Sequence, residues 1–235
     1  MTLEELFTSL SYGVLVNLSI GGSGSGKVPS EFQKRVVSHV NMSLTGLYGR
    51  FNLHKKKIDI QTIAGRNEYP LLKKHAVNDA TTGVDKFIID TAGNPFGQDV
   101  LKILAMFDVD DIELTLNDPG QENSPYTPTT DILMMPDDLL GGLFSLEYQS
   151  LHPKLLTAEP VDLTQLVRLP AVLVPALEAH VAYQIFSGMN GPEHTAKAME
   201  QISRYEMLCG AIENDDLVST SVVQTHTKLE DRGFV

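Results

Sequence analysis

Two short stretches carry the residue types of phosphate chemistry. Residues 21–27 read GGSGSGK, directly after the apolar run YGVLVNLSI, and residues 87–93 read FIIDTAG. A phosphate loop needs G-x-x-x-x-G-K followed by Ser or Thr, because backbone amides cradle the phosphates and the hydroxyl ligates magnesium. Gly21, Gly26 and Lys27 fit that spacing. Val28 stands where the hydroxyl is needed, and Pro29 removes an amide donor. Asp90-Thr91-Ala92-Gly93 has the form of a GTP-dependent switch, yet no Asn-Lys-x-Asp base-reading element occurs in the chain. The preferred reading of 21–26 is a flexible surface connection, which Gly and Ser supply at low steric cost. A nucleotide-binding switch or GTPase that uses the GGSGSGK and DTAG segments, with Lys27 and Asp90, is the alternative.

Other reactive constellations are missing from the sequence. The seven histidines, at 39, 54, 75, 152, 180, 194 and 226, form no H-E-x-x-H pair, and a single cysteine cannot build a zinc knuckle. Asp108, Asp110, Asp111 and Glu113 lack the glycine and the closing glutamate of a calcium loop, so they read as a solvated hairpin turn. There is no G-x-S-x-G elbow, and Cys209 lies on an apolar stripe as a packed rather than reactive thiol. Met135 and Met199 read as core positions. No catalytic residue, metal ligand or cofactor is therefore assigned.

The elements that would hold any site follow from the pattern of apolar residues. The chain has 235 residues, of which 42% are apolar, enough for one large domain or two interleaved ones. Thr2 followed by Glu5 has the form of a capping box ahead of a short helix over 3–9. Ser30 is the expected cap of a longer one, in which Phe32, Val36, Val37, Val40, Leu44, Leu47, Tyr48 and Phe51 recur at helical spacing. Lys55, Lys56 and Lys57 then follow near the negative end of its dipole.

From Ile58 the period changes to two. Ile58 and Ile60 predict one strand. Leu101, Ile103, Ala105 and Phe107 predict a second, answered across an acidic turn by Ile112, Leu114 and Leu116. Ile132–Met135 and the alternation Phe144, Leu146, Tyr148 predict two more. Residues 117–130 read as an exposed loop. Helix returns at 176–186, with Pro175 in its first turn, and again after Pro192, where Ala196, Met199, Ile202, Cys209 and Ile212 trace the expected buried stripe.

The sequence thus predicts an α+β protein: a helical bundle formed by the N- and C-terminal helices, an inserted antiparallel β subdomain and an extended C-terminal tail. The expected divisions are 1–56, 57–168, 169–216 and 217–235. With 30 acids against 18 bases the formal charge is −12, which argues against gripping phosphate backbones. The lone cysteine and the lack of a signal-like opening read as a product of a reducing cytoplasm, and no stretch has the length of a membrane span.

A resemblance adds to this reading. The run VVSHVNMSLTGLYGRFNLHKKKIDIQTI is similar to the signature of tailed-phage head-to-tail adaptor (connector) proteins, in which a helix ends in an aromatic-Arg-Phe segment and passes into a strand. FIIDTAGNPFGQDVLKILAMFD, LTLNDP, LHPKL, LEAHVAYQIFSGMNGPEHTAKAMEQISRYEMLC and TKLEDRGFV resemble that family in order, over nearly the full length. The resemblance implies a non-enzymatic virion part assembled in the host cytoplasm. It would be a ring, usually of twelve copies, beneath the portal protein at the head-tail neck, to which tail (nozzle or tail-tube) proteins attach and through which DNA passes without specific binding. In that reading the tail is an anchor on the portal or a neighbouring subunit. Val218, Val222, Val223, Leu229, Phe234 and Val235 would fill pockets or add a strand, and Arg232 would fix register through charge pairs.

Overall fold

Four α-helices and nine strands form among the residues that the computed structural model describes, which are 1–77, 83, 85–90 and 95–218. The mixed α+β class is the one the sequence predicts. Two compact units divide the chain, one built from residues 1–53 with those from 152 onward, the other from 54–151.

The first unit is helical. Helix α1 (Leu3–Tyr12) opens on the expected capping box: the Glu5 amide donates to Thr2 Oγ1 at 3.2 Å and the Thr2 amide to Glu5 Oε2 at 2.8 Å. Two more of its first-turn amides are met by the carbonyls of Leu163 and Gln165. Segment 152–168, assigned to the β insert from sequence, therefore packs with the helices. Asn41 also holds Leu155 at both its amide and its carbonyl, and the Tyr48 hydroxyl donates to the Arg168 carbonyl at 2.6 Å. These residues lack periodicity because side chains and helix ends, not a ladder, satisfy their backbone.

Helix α2 (Ser30–Arg50) buries Val36, Val37, Val40, Leu44, Leu47 and Tyr48 as expected. Its cap differs, since Ser30 is the first helical residue and Pro29 occupies the cap position without a side-chain hydrogen bond. Proline fixes φ there and lacks only a donor that a helix start leaves unpaired anyway.

Helix α3 (Val174–Ser187) is buried on most faces and packs on both α2 and α4 (Pro192–Asn214). The buried stripe of α4 is Ala198, Gln201, Tyr205, Cys209 and Ile212, and Met199 is 61% exposed. The expected stripe is thus corrected by rotation. Tyr205 stacks on His180 of α3 with ring centroids 4.6 Å apart, which sets the face that α4 turns inward, and hydropathy does not register Tyr or Gln as core.

The second unit is a pair of sheets. Strands β1 (Lys55–Gln61), β3 (Ala76–Val77), β4 (Ile88–Ile89), β5 (Val100–Phe107), β6 (Glu113–Leu114) and β9 (Leu143–Ser150) pair in the order β3-β4-β1-β9-β5-β6. The remaining strands β2 (Glu68–Pro70), β7 (Tyr126–Thr129) and β8 (Ile132–Met134) pair as β2-β8-β7. The larger sheet is mixed rather than antiparallel, because β3 and β4 run parallel. Strands of two residues carry no alternation from which direction can be read.

The expected pairing of β5 with β6 is present, and Ile103 lies in the core and Ala105 is buried as the alternation suggests, but the end of the strand departs from it. Register shifts between Val100 and Lys102 and between Ile103 and Ala105 carry Met106 into the core, while Phe107 lies half-buried under the Lys57 ammonium. A bulge inverts the face of every residue beyond it. The 117–130 segment is likewise folded rather than a simple loop. It contains β7, and Asn117 holds Thr127 through the Thr127 amide at 2.8 Å and the hydroxyl at 2.9 Å. Lys55, Lys56 and Lys57 lie in β1 and pair with Glu147, Asp99 and Asp111.

Ile60, Phe87, Phe96, Met106, Leu133, Leu146 and Tyr148 form the centre of this unit's core. Leu146 on β9 sits between Ile58 of β1 and Met106 of β5. Leu146→Ala is expected to lower stability by about 2–5 kcal/mol through lost burial and the cavity left behind. The check is a lower urea midpoint with faster amide exchange in peptides covering β1, β5 and β9.

Candidate functional site

The glycine segment is packed rather than a flexible connection. Residues Ser19–Gly24 make a 3-10 turn, and Gly21 and Gly26 are buried. The buried Ser11 hydroxyl of α1 donates to the Gly21 carbonyl and accepts from the Gly26 amide at 3.0 Å. Gly26 has φ +77°, a conformation that favours glycine, and a Cβ there would push aside the exposed Tyr12 ring, whose hydroxyl would lie 2.5 Å away. The amides of Gly21, Ser23, Ser25 and Lys27 donate within the segment, to Leu18, Leu18, Gly22 and Ser25. A phosphate loop needs those donors turned outward and a helix starting at its lysine. Here Lys27 is exposed and α2 starts three residues later.

Asp90 belongs to the other unit and has a local partner. Its Oδ2 accepts the Phe96 amide at 2.8 Å, which fastens the turn that leads Phe96 into the core. Thr91, Ala92 and Gly93 lie outside the described residues. The acidic turn is closed by Asp108, whose Oδ1 accepts from the amides of Asp110 and Ile112, each at 2.9 Å. Among the described residues no group of three His, Cys, Asp or Glu is placed to hold a metal ion.

The segment Tyr48-Gly49-Arg50-Phe51 has a clear structural task. Arg50, at the last turn of α2, reaches α4 with its whole guanidinium. Nε and Nη2 donate to the two carboxylate oxygens of Glu213 at 2.6 and 3.0 Å, and Nη1 donates to Glu206 at 2.6 Å. The guanidinium carbon lies 6.0 Å from the centroid of the Tyr205 ring, and Phe51 is fully buried. These hydrogen bonds hold the Glu213 carboxyl below its ordinary value. Burial, reinforced by Cys209, pushes the Tyr205 phenol up to about 12. Burial also raises the Cys209 thiol and lowers the His180 imidazole, so both stay neutral near pH 7. Cys209 is packed, as expected.

A cleft of ≈ 580 Å³ opens on the helical unit. Its walls come from the turn after α1, including Val14 and Leu18, from Glu178 and Phe186 of α3, and from His194, Lys197, Gln201 and Arg204 of α4. The Ser9 hydroxyl orients Glu178, and His194 stacks on Phe186 with centroids 6.1 Å apart. Sequence reasoning missed this site. The signal present was the polar series 194, 197, 201, 204 at helical spacing, hidden because three separate segments build the cleft.

Of the anchor residues expected in the tail, Val218 is described and half-buried. Val222, Val223, Leu229, Arg232, Phe234 and Val235 lie outside the described residues. No protein-family model matches the chain, and no curated protein matches it either.

The Arg50 fork generates a prediction. Arg50→Ala should destabilise the protein by about 1–2 kcal/mol, since Glu206 and Glu213 remain partly in water, and Arg50→Lys should recover only part because an ammonium cannot make the fork. The lowered Glu213 carboxyl contributes stability above its ordinary value of 4.5 and loses it as pH falls through the lower folded value. The gap between wild type and Arg50→Ala is therefore expected to be constant at neutral pH and to close below pH 4.5 in urea melts.

Proposed function

We propose that the protein is a structural virion component, a head-to-tail adaptor that forms a ring beneath a portal and joins it to a tail protein. The observation that carries this reading is the order of the family-like segments, which runs from VVSHVNMSL to TKLEDRGFV over nearly the full chain. Its aromatic-Arg-Phe element has a physical reason to be where it is, since Arg50 ties the end of α2 to α4. In this reading α1 to α4 act as a helical bundle in the ring wall, and the 54–151 insert faces a tail protein or neighbouring subunit. The residues from 217 onward are the anchor.

Ring closure needs a heterologous interface, with one face of each subunit meeting a different face of the next. Twelve copies would match the portal. The charge supports a channel role: the chain carries 30 acids against 18 bases, a formal charge of −12. An acidic wall lets a polyanion slide, where a basic one would hold it through counterion release.

Electron micrographs of the protein mixed with its cognate portal are expected to show a ring added at the portal's narrow end, and unaltered portals beside free subunits would refute the proposal. Equilibrium titration with GTP and GDP is expected to show no saturable binding. Binding that Lys27→Ala abolishes would instead favour the nucleotide switch.

A further inference from the structure

The cleft on the helical unit offers a ligand chemistry that ring formation does not explain. Its volume of ≈ 580 Å³ falls in the range of sites for small molecules and short peptide segments. Gln201 lines it while only 7% exposed, and its Oε1 has no hydrogen-bond partner among the described residues. A buried acceptor of this kind calls for a donor from an occupant. Arg204 likewise makes no hydrogen bond or ion pair among the described residues. Glu193 and Glu178 bring acidic groups to the same lining, and Val14, Leu18 and Phe186 make it apolar. Arg204 is the cation of the lining without such a partner, whereas Lys197 already holds Glu200 at 2.8 Å. Glu178 and Glu193 add negative charge, so a ligand that carries both signs around an apolar group matches the lining.

The chain itself contains such a segment. We propose that the cleft receives residues 228–235, KLEDRGFV, of the same chain. Asp231 answers Arg204, Glu230 lies toward Lys197 beside its bond to Glu200, Lys228 and Arg232 answer Glu178 and Glu193, and Phe234 packs on the apolar wall with Phe186. A backbone amide of the segment supplies the donor that Gln201 lacks. The reach is sufficient within one chain. From Asn214 back to Gln201 is about 20 Å along α4, at 1.5 Å per residue. The residues between 218 and 228 span about 30 Å when extended, at ~3.3 Å each. The docking competes with any anchoring of the same residues on a partner, so a portal would have to displace the segment before using it. It needs neither portal nor ring, and its measurement on the free subunit is independent of the adaptor proposal.

Disulfide trapping in the full-length chain tests it, with Cys209→Ser as background, Val235→Cys in the segment and Asn17→Cys at the cleft. Oxidation is expected to join the two introduced thiols within one chain, seen as a faster-migrating monomer and a linked peptide by mass spectrometry. The rate should exceed that of a control pairing Val235→Cys with Ser38→Cys, on the exposed side of α2, by about ten-fold, reflecting a raised effective concentration. Arg204→Glu should slow trapping by about five-fold, and adding Asp231→Arg should restore it, a rescue that misfolding cannot mimic. Equal rates at Asn17 and Ser38, a bond joining two chains, or indifference to the charge exchange would each overturn the proposal.

Discussion

One guanidinium closes the helical unit. Arg50 and Glu213 are 163 residues apart in sequence, and the whole β unit lies between them. Holding such distant segments together costs closure entropy, which grows slowly with length but must be met by contacts that hold a defined geometry. The planar fork supplies that geometry: two parallel bonds to Glu213 and a third to Glu206 fix the rotation of α4 about its axis. Beneath it, Tyr205 stacks on His180, and His180 on Tyr183.

Much of the remaining helical surface follows from that rotation. At 3.6 residues per turn, Glu206 and Glu213 flank one side of the stripe Ala198, Gln201, Tyr205, Cys209 and Ile212, and Lys197 and Arg204 flank the other. The acidic flank is engaged by Arg50. The basic flank forms a wall of the cleft. Met199 and Met207 are left outward, 61% and 67% exposed. Had Met199 been inside, as its hydropathy suggests, the same turn of the helix would have carried Arg204 away from the cleft.

Legibility in the sequence tracked how local the determining interaction is. The capping box at Thr2 and Glu5, the apolar stripe of α2 and the alternation of β1 and β9 are set within a few residues, and each was readable. The end of β5, where Met106 rather than Phe107 enters the core, was not, because the bulges arise from pairing with β9, some 40 residues on. Nor was the packing of 152–168, which depends on Asn41, Tyr48 and the open end of α1. The glycine segment misled in a different way. Its spacing resembles a phosphate loop because both need backbone to approach closely, but here the approaching groups are Ser11 and Tyr12 of the same chain. The cleft was invisible for the same reason as β5: its lining is assembled from segments that only tertiary structure joins.

The distribution of cations bears on what the β unit can hold. Lys55, Lys56 and Lys57 look like a basic patch in the sequence, yet each has a carboxylate within 4 Å, and the Lys56–Asp99 pair at 2.6 Å also involves the Tyr148 hydroxyl. Pairing makes the triplet unsuited to gripping a polyanion, because a phosphate would have to displace protein carboxylates before releasing its own counterions. Acids outnumber bases two to one across this unit, so the long-range field repels phosphate as well. The lysine pairing thus serves the sheet, tying β1 to Glu147 of β9 and to the carboxylates of Asp99 and Asp111, whereas Lys73, Lys74 and Lys86 of this unit have no carboxylate partner among the described residues.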